Sequence, residues 1–294
     1  MKIDQGPLAH LLPVTTVVAA IFIVWYVAAI FLNAPWARDQ AARAETALGT
    51  GQLVAQTLSQ ERPVLPAPHQ VAVEIWETTA QKKITSKRSL IYHSWITLSA
   101  TLLGFALGTC LGILLATIII HDRATDMSLM PWIIASQTIP ILAIAPMIIV
   151  VLNAIGLTGL LPKALISTYL SFFPVVVGMV KGLRAPDRAS LDLMKTYNAN
   201  RRQIFQKLRW PTALPYLFVS MKVAIAISLV GAIVGELPTG AVAGLGARLL
   251  AGSYYGQTIQ IWSALITAAI LAAILVGLID LTRRLVLGRM GQTA

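Results

Sequence analysis

KGLRAPDRASLDLMKTYNANRRQIFQKLRWP, residues 181–211, places eight Lys and Arg between two hydrophobic spans of an otherwise charge-poor chain. Basic connecting segments between apolar runs are how polytopic membrane proteins are built. The local grammar of this one predicts two short helices and a sharp corner. Asp187 stands where it can cap the first helix, whose apolar residues Leu191, Met194 and Tyr197 recur every three positions. Asn198 follows, a residue type that tolerates the left-handed conformation closing many helices. Asn200 and Gln203 have the spacing of a capping box, with Ile204, Phe205 and Leu208 on one face behind it. Pro211 and Pro215 bracket the start of the next apolar run. An exposed basic helical loop suits a protein partner; the same charge also suits a solvated loop beside anionic lipid headgroups.

Working outward, the composition fixes the class. The chain is 56% apolar and 12% charged, with a mean hydropathy of +0.73. Several uncharged runs exceed the roughly 18 residues that mark a bilayer-spanning helix. The net charge of +11 concentrates in particular connecting segments, which argues against nucleic acid. The one cysteine, Cys110, lies in an apolar run and permits no intrachain disulfide. The N-terminal run has one Lys ahead of it and no cleavage pattern, so it reads as a retained span.

Six spans are expected, in an all-α integral membrane fold. The first covers 12–33, and residues 34–91 form surface helices broken at the Pro-rich VLPAPHQ. The second lies within 94–120 and is ended by a short polar turn, HDRATDMS. Residues 127–162 carry no charge and are too long for one crossing, so a turn at NAIGLTGLLP divides them into spans three and four, the fourth continuing over 164–180. The fifth covers 214–234 and the sixth 259–279, before RRLVLGRM. The implied organisation is an N-terminal helix and surface segment over 1–91, a core over 92–285 containing the loop 181–211, and a tail over 286–294. With the N-terminus inside, the inside segments hold thirteen Lys and Arg and the two short outside loops hold only Lys163 and Arg248. Both termini and the basic loop are therefore assigned to the cytoplasm. Lys82, Lys83, Lys87 and Arg88 fall outside in this scheme, in a loop long enough to translocate regardless of charge.

The stretch LDLMKTYNANRRQIFQKLRWPTALP resembles the EAA loop of bacterial ABC importer permeases. Asp192 stands at the glutamate position, Leu193 and Met194 at the two alanines, Asn198 at the glycine, and Pro211 and Pro215 at the trailing prolines, so this copy departs at both alanines and at the glycine. LPAPHQV (65–71), HSWITLSATLLGFALGTCLGILLA (93–116), TIPILAIAPMIIVV (138–151), FFPVVVGMVKGLR (172–184) and VGELPTGAVAGLG (234–246) are similar to the nitrate/sulfonate/taurine branch of that family. The resemblance implies a type I ABC importer permease fold in the bacterial inner membrane. It also implies coupling helices contacting a cytoplasmic ATPase dimer, a second permease copy or similar partner, and a periplasmic or lipid-anchored binding protein. The coupling residues would be Asp187, Leu191, Asp192, Met194, Tyr197, Asn198, Asn200, Gln203, Ile204 and Phe205. The solute would be a nitrate-, sulfonate- or taurine-like anion, or a thiamine-precursor-like heterocycle.

Other residues are read for packing or for a pathway. Gly104, Gly108 and Gly112 share one face of the second span, which allows close helix approach. Pro140 and Pro146 bend the third. Gln137, Thr138, Pro140, Ser167, Ser171 and Glu236 are candidate pathway positions, since polar groups inside spans mark routes, although Ser and Thr also bond to their own helix and Glu236 could cap the GELPTG turn. Lys222 reads as an anchor that snorkels to the interface. No G-x-x-x-x-G-K-[ST] occurs, so ATP and its Mg²⁺ belong to a partner subunit and this chain needs no cofactor. His10, His69, His93 and His121 are scattered, which gives no metal set and no catalytic one. A transport subunit, not an enzyme, is expected. An ion-coupled secondary carrier is the alternative, but it should carry acids within its spans, whereas only Glu236 and Asp280 lie near span ends.

Overall fold

The computed structural model describes residues 8–45, 49–237 and 242–291, with side chains from residue 12 onward. The start of the N-terminal run with Lys2, residues 46–48, the Pro-Thr-Gly end of the GELPTG turn with residue 241, and the last three residues lie outside the described residues. Within them the structure is helical, with no strand.

The long helices are α1 (Leu8–Arg43), α4 (Leu90–His121), α7 (Leu160–Leu183), α10 (Trp210–Glu236) and α12 (Thr258–Arg289), with shorter α2 (Thr50–Leu58), α3 (Pro68–Trp76), α5 (Arg123–Ser136), α6 (Ile141–Ala154), α8 (Arg188–Thr196), α9 (Arg201–Ile204) and α11 (Leu245–Tyr254). The polar HDRATDMS does not form a turn. Only Asp122 is extended, and its carboxylate accepts from Thr125 N at 3.0 Å and Ala124 N at 3.3 Å, so α5 starts at once. The third span departs further from expectation. It breaks completely at 137–140, and α5 and α6 meet at 96°. Pro140 has no N–H to continue a helix and disfavours helical backbone at Ile139, so it caps α6 instead of bending one rod. Pro146 sits inside α6, which runs through it.

Contiguous packing in one unit, Ile91–Ala247 with Thr267–Ala294, fixes the span directions. Gly104, Gly108 and Gly112 of α4 face Ser167, Ser171 and Val175 of α7 in ascending order, so α4 and α7 are parallel. Gly182, Gly178 and Gly231 face Ala213, Ser220 and Ser167, which makes α7 and α10 antiparallel. A chain that leaves the end of α4 and re-enters at the start of a parallel α7 must cross between them. The bent α5–α6 pair is therefore a crossing and not a re-entrant excursion, which gives six spans among the described residues, α1 and α12 included. The core of this unit joins Phe172, Val175, Val176 and Met179 of α7 to Ala213, Leu217 and Ala224 of α10 and to Ala116 and Ile119 of α4. Ala145 and Ile149 of α6 pack on Ile166 and Val234.

The other unit comprises Met1–Leu90 and Arg248–Ile266. It includes a C-terminal segment that a division at residue 91 assigns elsewhere. Its polar hub is Asn33, fully buried, whose amide donates to Leu65 O at 2.9 Å and whose Oδ1 accepts from Val64 N at 2.8 Å. The amides of Val64 and Leu65 and the Leu65 carbonyl are thus satisfied by one side chain of α1. Arg248 pairs with Glu74 at 2.8 Å; burial pulls its guanidinium below the ordinary value, and Glu74 opposes that pull.

Candidate functional site

The basic loop is built by local rules. Asp187 accepts from Ser190 N at 3.1 Å and opens α8. Hydrogen bonding from Ser190, side chain first and then backbone, holds the Asp187 carboxyl below the usual range. Asn198 has φ of 53°. Around it, Asn198 N donates to Lys195 O at 2.8 Å and Ala199 N to Met194 O at 3.0 Å, the two bonds of a Schellman motif. The capping box is complete, with Asn200 N to Gln203 Oε1 at 2.8 Å and Gln203 N to Asn200 Oδ1 at 2.9 Å.

Two details differ from expectation. Leu191 and Met194 are half-buried but Tyr197 is 79% exposed, because it ends α8 and leaves the helical phase; Leu193, 57% exposed, takes the outward side with it. The second short helix is not separate. From Arg201 the chain stays helical to Glu236, passing through a wide π-type turn, Phe205–Arg209, that delivers Pro211 into the first turn of α10. A widened turn relieves the carbonyl that a proline would otherwise strike. Phe205 rests on His121, ring centroids 5.3 Å apart, and on Trp210 at 6.1 Å. Of the ten candidate coupling residues, Gln203, Ile204 and Phe205 lie on this continuous helix, and Asp187, Leu191, Asp192, Met194, Tyr197, Asn198 and Asn200 lie on α8, its caps and the corner ahead of it.

The six candidate pathway residues divide instead of forming one lining. Gln137, half-buried, and Thr138 and Pro140, exposed, sit at the α5–α6 break. Ser167, Ser171 and Glu236 are fully buried. Ser167 Oγ donates to Ser228 O at 2.9 Å and Ser228 Oγ to Thr101 O at 2.8 Å, so these hydroxyls staple α4, α7 and α10 together. Ser171 Oγ lies 3.3 Å from Gly104 O in the glycine seam. Glu236 is a clamp for the segment ahead of α11: its carboxylate accepts from Thr97 Oγ1 at 3.0 Å and Gly246 N at 2.8 Å and faces Lys163 Nζ at 3.6 Å. Thr97 and His93 accept in turn from Leu245 N at 2.9 Å and Gly244 N at 3.0 Å. Gly244 has φ of 129°, and a Cβ there would stand 2.1 Å from the Glu236 carboxyl carbon. This clamp was only half visible in the sequence; pairing the isolated Lys163 with the isolated Glu236 would have found it. Lys222, read as an interface anchor, has a partner in α12. It bonds Asp280, which also receives Arg283 at 3.1 Å and Arg284 at 2.8 Å.

A parallel α4–α7 pair, a broken third span and a capped basic loop ahead of the fifth make up the architecture around these residues. The family model for the binding-protein-dependent transport system inner membrane component matches residues 108–292. The chain belongs to that family. The permease is 34% identical to a riboflavin transport system permease protein of Chloroflexus aurantiacus, over 76% of this chain and 79% of the relative. It is 32% identical to a formylaminopyrimidine transport permease protein of Halalkalibacterium halodurans, over 62% and 68%. With a nitrate import permease protein of Synechocystis it shares 23% over 76% and 78%. It is thus a multi-pass, all-α permease subunit of an ABC importer of a small solute, and the carrier alternative falls away. Permeases of this family work with ATPase and solute-binding partners in general.

Proposed function

We propose that α8 and its Asn198 corner dock on a cytoplasmic ATPase, that two permease copies or similar subunits enclose the pathway, and that ATP-driven closure of the ATPases switches the spans between inward- and outward-facing packings. The observation that supports docking is an element closed at its start by the Asp187 side chain and at its end by backbone bonds through the Asn198 corner, yet presenting Leu193 and Tyr197 outward. The Asp192–Lys195 pair at 2.8 Å is solvent-exposed and adds little rigidity, so the backbone caps carry the shape. ATP and Mg²⁺ belong to the partner, and Gln137, Thr138 and Pro140 line the pathway at the broken span.

Orientation has a direct test. With Cys110 replaced by Ala, a cysteine at Ala55 is expected to react with an impermeant maleimide in whole cells and one at Asn198 only after lysis; both positions are exposed. Labelling at 198 from outside contradicts the cytoplasmic loop.

For the solute, we favour an uncharged or weakly charged heterocycle over an inorganic anion. The relatives above 30% identity carry riboflavin or formylaminopyrimidine in their names, and the nitrate relative is more distant. Lys163 and Lys222 each face a carboxylate, so neither offers an unpaired charge to an anion. In proteoliposomes with the ATPase and binding protein, uptake of labelled riboflavin or formylaminopyrimidine is expected to saturate and to resist excess nitrate. Saturable nitrate uptake, with no uptake of either heterocycle, reverses the assignment.

A further inference from the structure

Two adjoining clefts open at the root of the basic loop, where α4 and α7 end. The first, about 360 Å³, is lined by Arg123, Arg184 and Arg209 with Asp126 as its one acid. The second, about 240 Å³, is lined by Arg201, His121, Ile204 and Phe205. They share Ile120 and Arg209, so four guanidiniums face one carboxylate along a continuous groove. Asp126 is already engaged by Arg184 at 2.7 Å. Arg209 reaches only a backbone carbonyl, Leu183 O, at a long 3.5 Å. Among the described residues Arg123, Arg201 and Arg209 make no ion pair. The excess positive charge is too large for a single carboxylate ligand, and guanidinium forks match phosphate oxygens bidentately. At the other end of the groove, Ile120, Ile204 and Phe205, with the His121 ring 5.3 Å from Phe205, form a wall on which a flat ring can lie.

We propose that this groove binds a phosphorylated small molecule that carries an aromatic ring, with phosphate among Arg123, Arg184 and Arg209 and the ring against Phe205. The ligand ties the ends of α4 and α7 to the helix that leaves the basic loop. Bound there, it restrains the root of α8 and lowers uptake. The binding step stands on the groove alone; the effect on uptake rests on α8 being the docking element.

Adenosine monophosphate and inorganic phosphate serve as probes, on the full chain in nanodiscs of phosphatidylcholine, by calorimetry. Saturable binding of the nucleotide is expected, tighter than phosphate, and weakened about tenfold or more in the Arg123→Gln, Arg209→Gln variant, since each lost fork removes charge-assisted bonds. Phe205→Ala is expected to bring the nucleotide down to the affinity of phosphate while leaving phosphate binding unchanged, and it tests the site even if the double variant fails to fold. Absence of saturable binding in phosphatidylcholine overturns the proposal. So does unchanged affinity in the folded arginine variant. Displacement of the nucleotide by phosphatidylglycerol discs would make the groove a lipid headgroup site, and loss of ATPase co-purification with nucleotide binding intact would make the arginines part of the subunit interface; either result also overturns it.

Discussion

Uptake falls about fivefold or more in the Gly108→Leu permease, while the subunit still inserts and assembles. A Cβ on Gly108 would stand 2.1 Å from Ser171 Oγ and 3.1 Å from Phe172 N. The serine can turn away, but the backbone amide cannot, so α4 and α7 must separate. Overpacking of this kind costs roughly 1–3 kcal/mol. A transporter needs two packings close in energy, and a cost of this size borne by one of them shifts the ratio by about fivefold at the low end and about a hundredfold or more at the high end. Gly104→Leu should be more severe, since its Cβ would meet Ala164 O at 2.7 Å. Gly277 of α12 has nothing within 4 Å of its Cβ position, so Gly277→Leu is the control and keeps wild-type uptake. Proteoliposome uptake together with basal ATPase activity reads the effect. Wild-type values for Gly108→Leu would show that the α4–α7 seam does not rearrange during transport.

The features legible in the sequence are those set by short-range rules. Asp187, Asn198 and the Asn200–Gln203 pair were readable because caps act over three or four residues, and the structure forms each of them. The glycine spacing showed a face on α4 but not its partner, because which helix lies opposite is a long-range fact. The break at Pro140 was legible as a disturbance and not as its 96° size, which depends on what α5 and α6 pack against. Continuity from Arg201 to Glu236 was hidden by Pro211, which ordinarily signals a boundary.

Site chemistry was less legible for the same reason. Ser167 and Ser171 read as pathway hydroxyls, yet the backbone carbonyls they bond belong to α10 and α4, more than sixty residues away in sequence. Glu236 and Lys163 look like unrelated charges at two span ends until α7 and α10 are set antiparallel, which brings them to 3.6 Å. Lys222 and Asp280 likewise become a pair only when α10 and α12 are placed together.

The second large effect is the uncoupling expected of Asn198→Pro. Proline fixes φ near −65°, whereas Asn198 sits at 53° and donates its N–H to Lys195 O at 2.8 Å. The substitution removes the donor and forbids the conformation, so the corner between α8 and α9 opens without touching a span. Asn198→Gly keeps both and is expected to stay near wild type. Asp192→Lys with Tyr197→Ala instead changes the exposed face and leaves the backbone caps in place, so it separates loss of shape from loss of contact.

The most direct test of the docking assignment is solute imported per ATP hydrolysed, measured in proteoliposomes containing the permease, its ATPase and its binding protein. The ratio is expected to fall about tenfold or more in Asn198→Pro and in the Asp192→Lys, Tyr197→Ala variant, with Asn198→Gly unchanged and all three inserted normally. A wild-type ratio in both disrupted variants would contradict the claim that this loop carries the coupling.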